Sequence, residues 1–107
     1  PHGQIYAYPF VPPVAANMQR VAEAYHREHG VGPLAAHIAR EIEDGRRMLY
    51  RGEHAVAFVP ACARYPYETW VAPIAAVETF GRLADAQRAD LARALQTVLR
   101  KYDALWQ

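Results

Sequence analysis

The sequence predicts an α+β fold: a small, mainly antiparallel sheet covered by helices, with one long helix at the C-terminal end. Three observations carry that reading. Met48 to Arg51 and Ala55 to Val59 flank Gly52-Glu53, a two-residue connection that permits a hairpin. Ala55-Val56-Ala57-Phe58-Val59 is apolar throughout, as in a strand covered on both faces. From about Asp85 to Trp106, residues Leu91, Leu95, Val98, Leu99, Tyr102 and Leu105 or Trp106 fall within one helical stripe. At 1.5 Å per residue such a helix is roughly 33 Å long, enough to cross a whole small sheet.

The remaining elements follow in order. Ile5 to Tyr8 reads as a strand, with Pro9 ending regular pairing. Val11-Pro12-Pro13-Val14 is extended, because each proline biases its predecessor away from helix. Asn17 is the expected cap of a first helix whose apolar stripe is Met18, Val21, Ala22 and Tyr25. That helix closes near His29-Gly30, where glycine can adopt the left-handed conformation. Pro33 suits the start of a second helix, buried through Leu34, Ile38 and Ile42 and ended by Asp44-Gly45. Both helices are short enough to need a surface to pack on, and a sheet is the expected one. Ala61 to Pro66 reads as a loop, and Thr69 to Ala72 as a third strand stopped by Pro73.

The 107 residues suit a single domain, and no internal repeat or flexible linker interrupts them. Twelve Lys and Arg against eleven Asp and Glu leave a formal charge of +1, so no strong field favours nucleic acid or an anionic membrane. A lone Cys62 excludes an internal disulfide and fits a reducing cytoplasm. No apolar run reaches membrane-spanning length. The first residue is Pro1 rather than Met, so an upstream part is expected outside this sequence.

Chemistry concentrates in the first residues, Pro1-His2-Gly3-Gln4. A neutral imidazole can attack an electrophilic phosphorus and later leave, which splits one displacement into two easier ones. Gly3 lacks a β-carbon, so the backbone there can come close to a phosphate. Gln4 offers amide N–H donors that hold a phosphoryl oxygen without changing protonation state.

Pro1-His2-Gly3-Gln4-Ile5-Tyr6-Ala7 resembles the latter part of the His-Pro-His-Gly-Gln active-site motif of galactose-1-phosphate uridylyltransferases, members of the histidine-triad superfamily. The similarity continues through Arg40-Glu41 with Asp44-Gly45, Glu53-His54, Val59-Pro60 and Pro66-Tyr67-Glu68-Thr69. It extends from Asp85-Ala86-Gln87-Arg88 to Tyr102-Asp103. The resemblance implies a sheet of histidine-triad type, here as a single partial domain over residues 1–107 of a larger cytoplasmic transferase. It implies that His2 is the nucleophile, uridylylated by UDP-glucose before UMP passes to galactose 1-phosphate. Gln4 would steady the uridylyl-histidine, and Gly3 and Gln4 would touch the substrate. In the family the first histidine of the motif helps bind a structural zinc, and this chain begins one residue after it. Zinc is therefore expected in the complete enzyme, with no cofactor and no metal ligand in this chain. A second family metal site uses a glutamate whose position falls at or near Met18, and a thioether is a poor ligand for a hard metal. The implied partners are the two sugar substrates and a companion N-terminal segment or a second copy. The isolated chain is expected to be inactive alone.

Two other readings stand beside this one. A nucleotide hydrolase or phosphorylase could use the same scaffold, although hydrolases of the superfamily usually carry histidine where Gln4 stands. Histidine there can protonate a leaving group and glutamine cannot. A non-catalytic or decayed scaffold needing a companion chain is the third. Elsewhere the residues read as architecture. His26 and His29 have a metal-compatible spacing but lack further ligands in pattern. His37 and His54 follow no ligand pattern, and His54 reads as a sheet-edge or hydrogen-bonded residue. Cys62 has no neighbouring base. Glu68 has no second carboxylate nearby to tune it as an acid or base and reads as structural. Arg46, Arg47 and Arg51 sit among acidic residues and read as a solvated, salt-bridged surface.

Overall fold

A computed structural model describes residues 3–106 of the chain, the side chain of Trp106 excepted. His2, the expected nucleophile, lies outside the described residues. The chain forms two compact units, one up to Pro33 and the other from Leu34 onward.

The first unit holds helix α1, Pro13–His29. It starts four residues before the expected Asn17 cap. Pro12 occupies the N-cap and Pro13 the first helical position, where a missing N–H costs nothing and the fixed φ suits the helix. Asn17 instead lies inside the helix and accepts a hydrogen bond from Arg20 Nη2 at 2.8 Å. At the far end Gly30 takes φ 72° and donates its N–H to the His26 carbonyl, as expected. Ile5–Tyr8 is not a strand, contrary to expectation. A strand needs a neighbour to take up its backbone N–H and C=O groups, and among the described residues no strand pairs with this segment. Its aromatic side chains stack on one another instead, Tyr6 on Tyr8 and Tyr8 against Phe10.

The second unit is an α+β domain with the predicted layers. Helix α2, Pro33–Asp44, ends as predicted at Gly45, whose φ is 70°. Strands β1 (Met48–Arg51), β2 (Ala55–Phe58) and β3 (Trp70–Pro73) form an antiparallel sheet in the order β1-β2-β3. A bulge interrupts β1 between Met48 and Tyr50. The hairpin connection is one residue longer than predicted, Gly52 to His54, and is closed by Gly52 N–H to Ala55 C=O at 2.9 Å. Helix α3, Asp85–Asp103, follows, and Ala104–Trp106 continues it as a 3-10 turn.

Strand β2 is central and fully buried, and its alternation sorts the two layers. Val56 and Phe58 face the main apolar core with Ile38 of α2 and Ala72 of β3. Ile42, Met48, Trp70 and Ile74 close this core, while Leu34 in the first turn of α2 is exposed. Ala55 and Ala57 lie on the opposite face, which α3 covers. These small side chains and Ala94, all fully buried, let the helix axis approach the sheet closely. The buried stripe of α3 is therefore Asp90, Ala94 and Val98. The expected stripe shares Val98 with it, and Leu91 and Tyr102 are half-buried, but Leu95, Leu99 and Leu105 are exposed.

Candidate functional site

Gln4 and Gly3 are both exposed, in the first unit. The Gln4 side chain meets Tyr6. Its Oε1 accepts a hydrogen bond from the Tyr6 hydroxyl at 2.8 Å, which leaves the amide N–H groups directed elsewhere. Among the described residues outside its chain neighbours, nothing lies within 4 Å of a β-carbon placed at Gly3. The glycine thus leaves an open approach to the backbone beside Gln4.

The ionised groups of the second unit serve its architecture. Asp90, on the buried face of α3, accepts from the Tyr50 hydroxyl at 2.5 Å and from the N–H groups of His54 at 2.7 Å and Ala55 at 2.9 Å. Arg93 Nη2 adds a fourth contact at 3.2 Å. The Tyr50 hydrogen bond is the largest influence on its pKa; with the two backbone donors and Arg93 it outweighs burial and holds the carboxyl at about 2. One carboxylate thereby ties the strand-turn-strand hairpin to the helix. Sequence reading passed over Asp90 because an acidic residue beside Leu91 looks like a solvated helix position. The signal was its spacing of four from Ala94 and eight from Val98.

Glu41 plays the matching part on α2. Burial pushes its pKa up, but hydrogen bonds from Arg47 and the Ala61 N–H, with the Arg47 and His37 charges, hold it below the ordinary value. Arg47 reaches it through Nε at 3.0 Å and Nη2 at 3.2 Å, and also meets Asp44. Arg47 is therefore part of a half-buried ion-pair network and not a purely solvated surface charge. Arg46 fits the expected surface pairing, with Asp44 at 2.7 Å. The His37 ring packs against Phe58 and Trp70 and brings Nε2 within 3.2 Å of Glu41.

Glu68 organises the loop before β3. Its carboxylate accepts from the N–H of Arg64 at 2.7 Å, the indole N–H of Trp70 at 3.0 Å and the N–H of Tyr65 at 3.3 Å. The Arg64 N–H contributes most to holding its pKa low. Tyr102 of α3 fastens the same loop, its hydroxyl bonded to the Tyr67 carbonyl and to Thr69 Oγ1. Tyr67 sits at φ 63°, a conformation a tyrosine keeps only when its surroundings enforce it. His54 is bonded through its backbone, donating to Asp90 and accepting from the Ile74 N–H. The His29 ring lies on Tyr25, and Cys62 is exposed in the loop. Among the described residues no three His, Cys, Asp or Glu side chains converge to hold a metal ion.

The described residues thus define an α+β domain with a carboxylate-tied core, accompanied by a separate unit that carries a solvent-facing Gly3-Gln4 pair. By sequence the chain belongs to the galactose-1-phosphate uridyl transferase family, whose C-terminal domain model matches residues 18–107. It is similar to the galactose-1-phosphate uridylyltransferase of Haemophilus influenzae, with 36% identity over 107 residues, 100% of this chain and 31% of that protein. The Streptomyces lividans protein of the same name is 37% identical over 106 residues, 99% of this chain and 30% of its own length. That of Rattus norvegicus is 32% identical over 107 residues, 100% of this chain and 28% of its own. The chain therefore spans about a third of the length of the curated relatives it matches. No helix among the described residues is long and apolar enough to cross a membrane.

Proposed function

We propose that this chain is a segment of a uridylyltransferase that moves UMP from UDP-glucose to galactose 1-phosphate through a uridylyl-His2 intermediate. The observation that carries the reading is family membership, with identity extending over the whole chain to proteins named for this activity. In the first half-reaction an imidazole nitrogen of His2 attacks the α-phosphorus of UDP-glucose. A P–N bond forms, the bridging P–O bond breaks, and glucose 1-phosphate leaves with the electron pair. In the second, a phosphate oxygen of galactose 1-phosphate attacks the same phosphorus. The P–N bond breaks, UDP-galactose departs, and the imidazole is restored. Gln4 donates amide N–H to a non-bridging oxygen on which negative charge is held throughout, and open space at Gly3 admits the phosphate to the backbone. A companion segment or a second copy supplies the rest of the substrate pocket, and zinc belongs to the complete enzyme.

Intact-mass spectrometry after mixing with UDP-glucose tests this, with the chain alone and joined to the remaining length its relatives have. The expected result is a mass gain of one UMP in the complete form, absent after His2→Ala. A His2→Ala variant that still turns over refutes the histidine intermediate. An assembled complete form without any adduct favours a scaffold role for this segment.

A further inference from the structure

We infer that Tyr6 is a positioning residue for the transfer, setting which end of the Gln4 amide meets the phosphate; this rests on the uridylyl-histidine reading above. The two ends of a glutamine amide have nearly the same shape and opposite hydrogen-bonding sense. Nε2 facing a phosphoryl oxygen stabilises it, and Oε1 facing it repels it. An exposed glutamine chooses between these orientations freely unless a neighbour discriminates. The Tyr6 hydroxyl does so, donating to Gln4 Oε1 at 2.8 Å. A phenol is a good donor and a poor acceptor, because its lone pair is drawn into the ring, so it favours the amide oxygen over the amide nitrogen. Both N–H donors of Gln4 are then left for the substrate.

Tyr6 is itself held. Its ring stacks on Tyr8 with centroids 6.4 Å apart and planes at 12°, and Tyr8 packs against Phe10 at 5.5 Å. Residues 4, 6, 8 and 10 recur with the period of an extended chain, which puts alternate side chains on one side. The aromatic ladder is thus a local buttress: Phe10 and Tyr8 steady the Tyr6 ring, and the Tyr6 hydroxyl steadies the amide. A donor oriented before the reaction needs no reorganisation as charge shifts on the phosphorus, and that is where such a donor gains its catalytic value.

A double-mutant cycle of Tyr6→Phe and Gln4→Ala in the complete polypeptide tests the inference. The readouts are single-turnover rates of His2 uridylylation by UDP-glucose and of discharge to galactose 1-phosphate. Tyr6→Phe keeps the ring and its stack and removes only the hydroxyl. It is expected to slow both half-reactions by about threefold to tenfold, the range of one neutral hydrogen bond, with KM for UDP-glucose unchanged. In a Gln4→Ala background the same change is expected to have no further effect. Unchanged rates in Tyr6→Phe, or an equal slowing with and without Gln4, overturn the positioning role. A wild-type polypeptide that forms no uridylyl-His2 overturns the underlying reading and the inference with it, and the mass of the wild-type protein separates that outcome from the other two.

Discussion

At position 90 a carboxylate lies on the buried stripe of α3 with Ala94 and Val98, and its neighbours explain why it is tolerated. Buried N–H groups must find an acceptor, and Asp90 receives two of them together with the Tyr50 hydroxyl. Asp90→Ala leaves those donors stranded and is expected to cost about 3 kcal/mol of folding stability in urea titration. Gln4 is the opposite kind of residue, exposed and without a part in the core. Gln4→Ala is expected to slow both half-reactions of the complete enzyme while its urea midpoint stays within error of wild type. A large loss of stability would make Gln4 structural instead. The chemistry of Gln4 was legible from residue type and context. The tie at Asp90 was not: its spacing from Ala94 and Val98 places it on their stripe, but nothing in that spacing says which distant backbone groups it meets.

At the scale of elements, the hairpin and the long helix were legible in their apolar patterns, but the way they meet was not. Helix α3 presents Asp90, Ala94 and Val98 to the sheet, and its leucines lie one stripe over. Size decided the matter, because Ala55 and Ala57 leave a shallow surface that Ala94 fits and Leu95 would not. Gly52 shows the same logic. It reads as a turn glycine, but a β-carbon there would overlap the Asp90 carboxylate, with Cγ only 2.7 Å away. Gly52→Ala is therefore expected to destabilise by about 2 kcal/mol through overpacking. The same substitution on an Asp90→Ala background should cost far less, and equal losses in both backgrounds would show that the backbone, not the clash, is responsible. Tyr102 joins α3 to the loop before β3, so Tyr102→Phe should lower the thermal midpoint and speed proteolysis of residues 61–69 selectively.

For the whole molecule, the two buried carboxylates set how stability depends on pH. Asp90 has its pKa lowered from 3.8 to about 2, so the unfolded chain binds more protons in that range. Its contribution, about 2 kcal/mol, is fully present above the ordinary value and is lost as pH falls from 4 towards 2. Glu41, also lowered, acts with the same sign beginning below 4.5. Urea midpoints are expected to fall steeply from about pH 4.5 down to 2, and Asp90→Asn should flatten that fall. An unchanged slope would assign the acid sensitivity to other groups. The α+β class was legible in the whole sequence because apolar runs and prolines punctuate it. Separation into two units was not, since the turn at Gly30 to Pro33 looks like any other helix connection.

The clasp between hairpin and helix also bears on the order of assembly during synthesis. Tyr50 and His54 wait for a partner 40 and 36 residues further along. A two-stranded hairpin is marginal in water by itself, so β1 and β2 should stay mobile on a growing chain until Asp90 has emerged from the ribosome. Locking then arrives late and all at once, with the helix and the sheet closing in a single event. Nascent chains halted before and after Asp90 should differ sharply in protease resistance across residues 48–58.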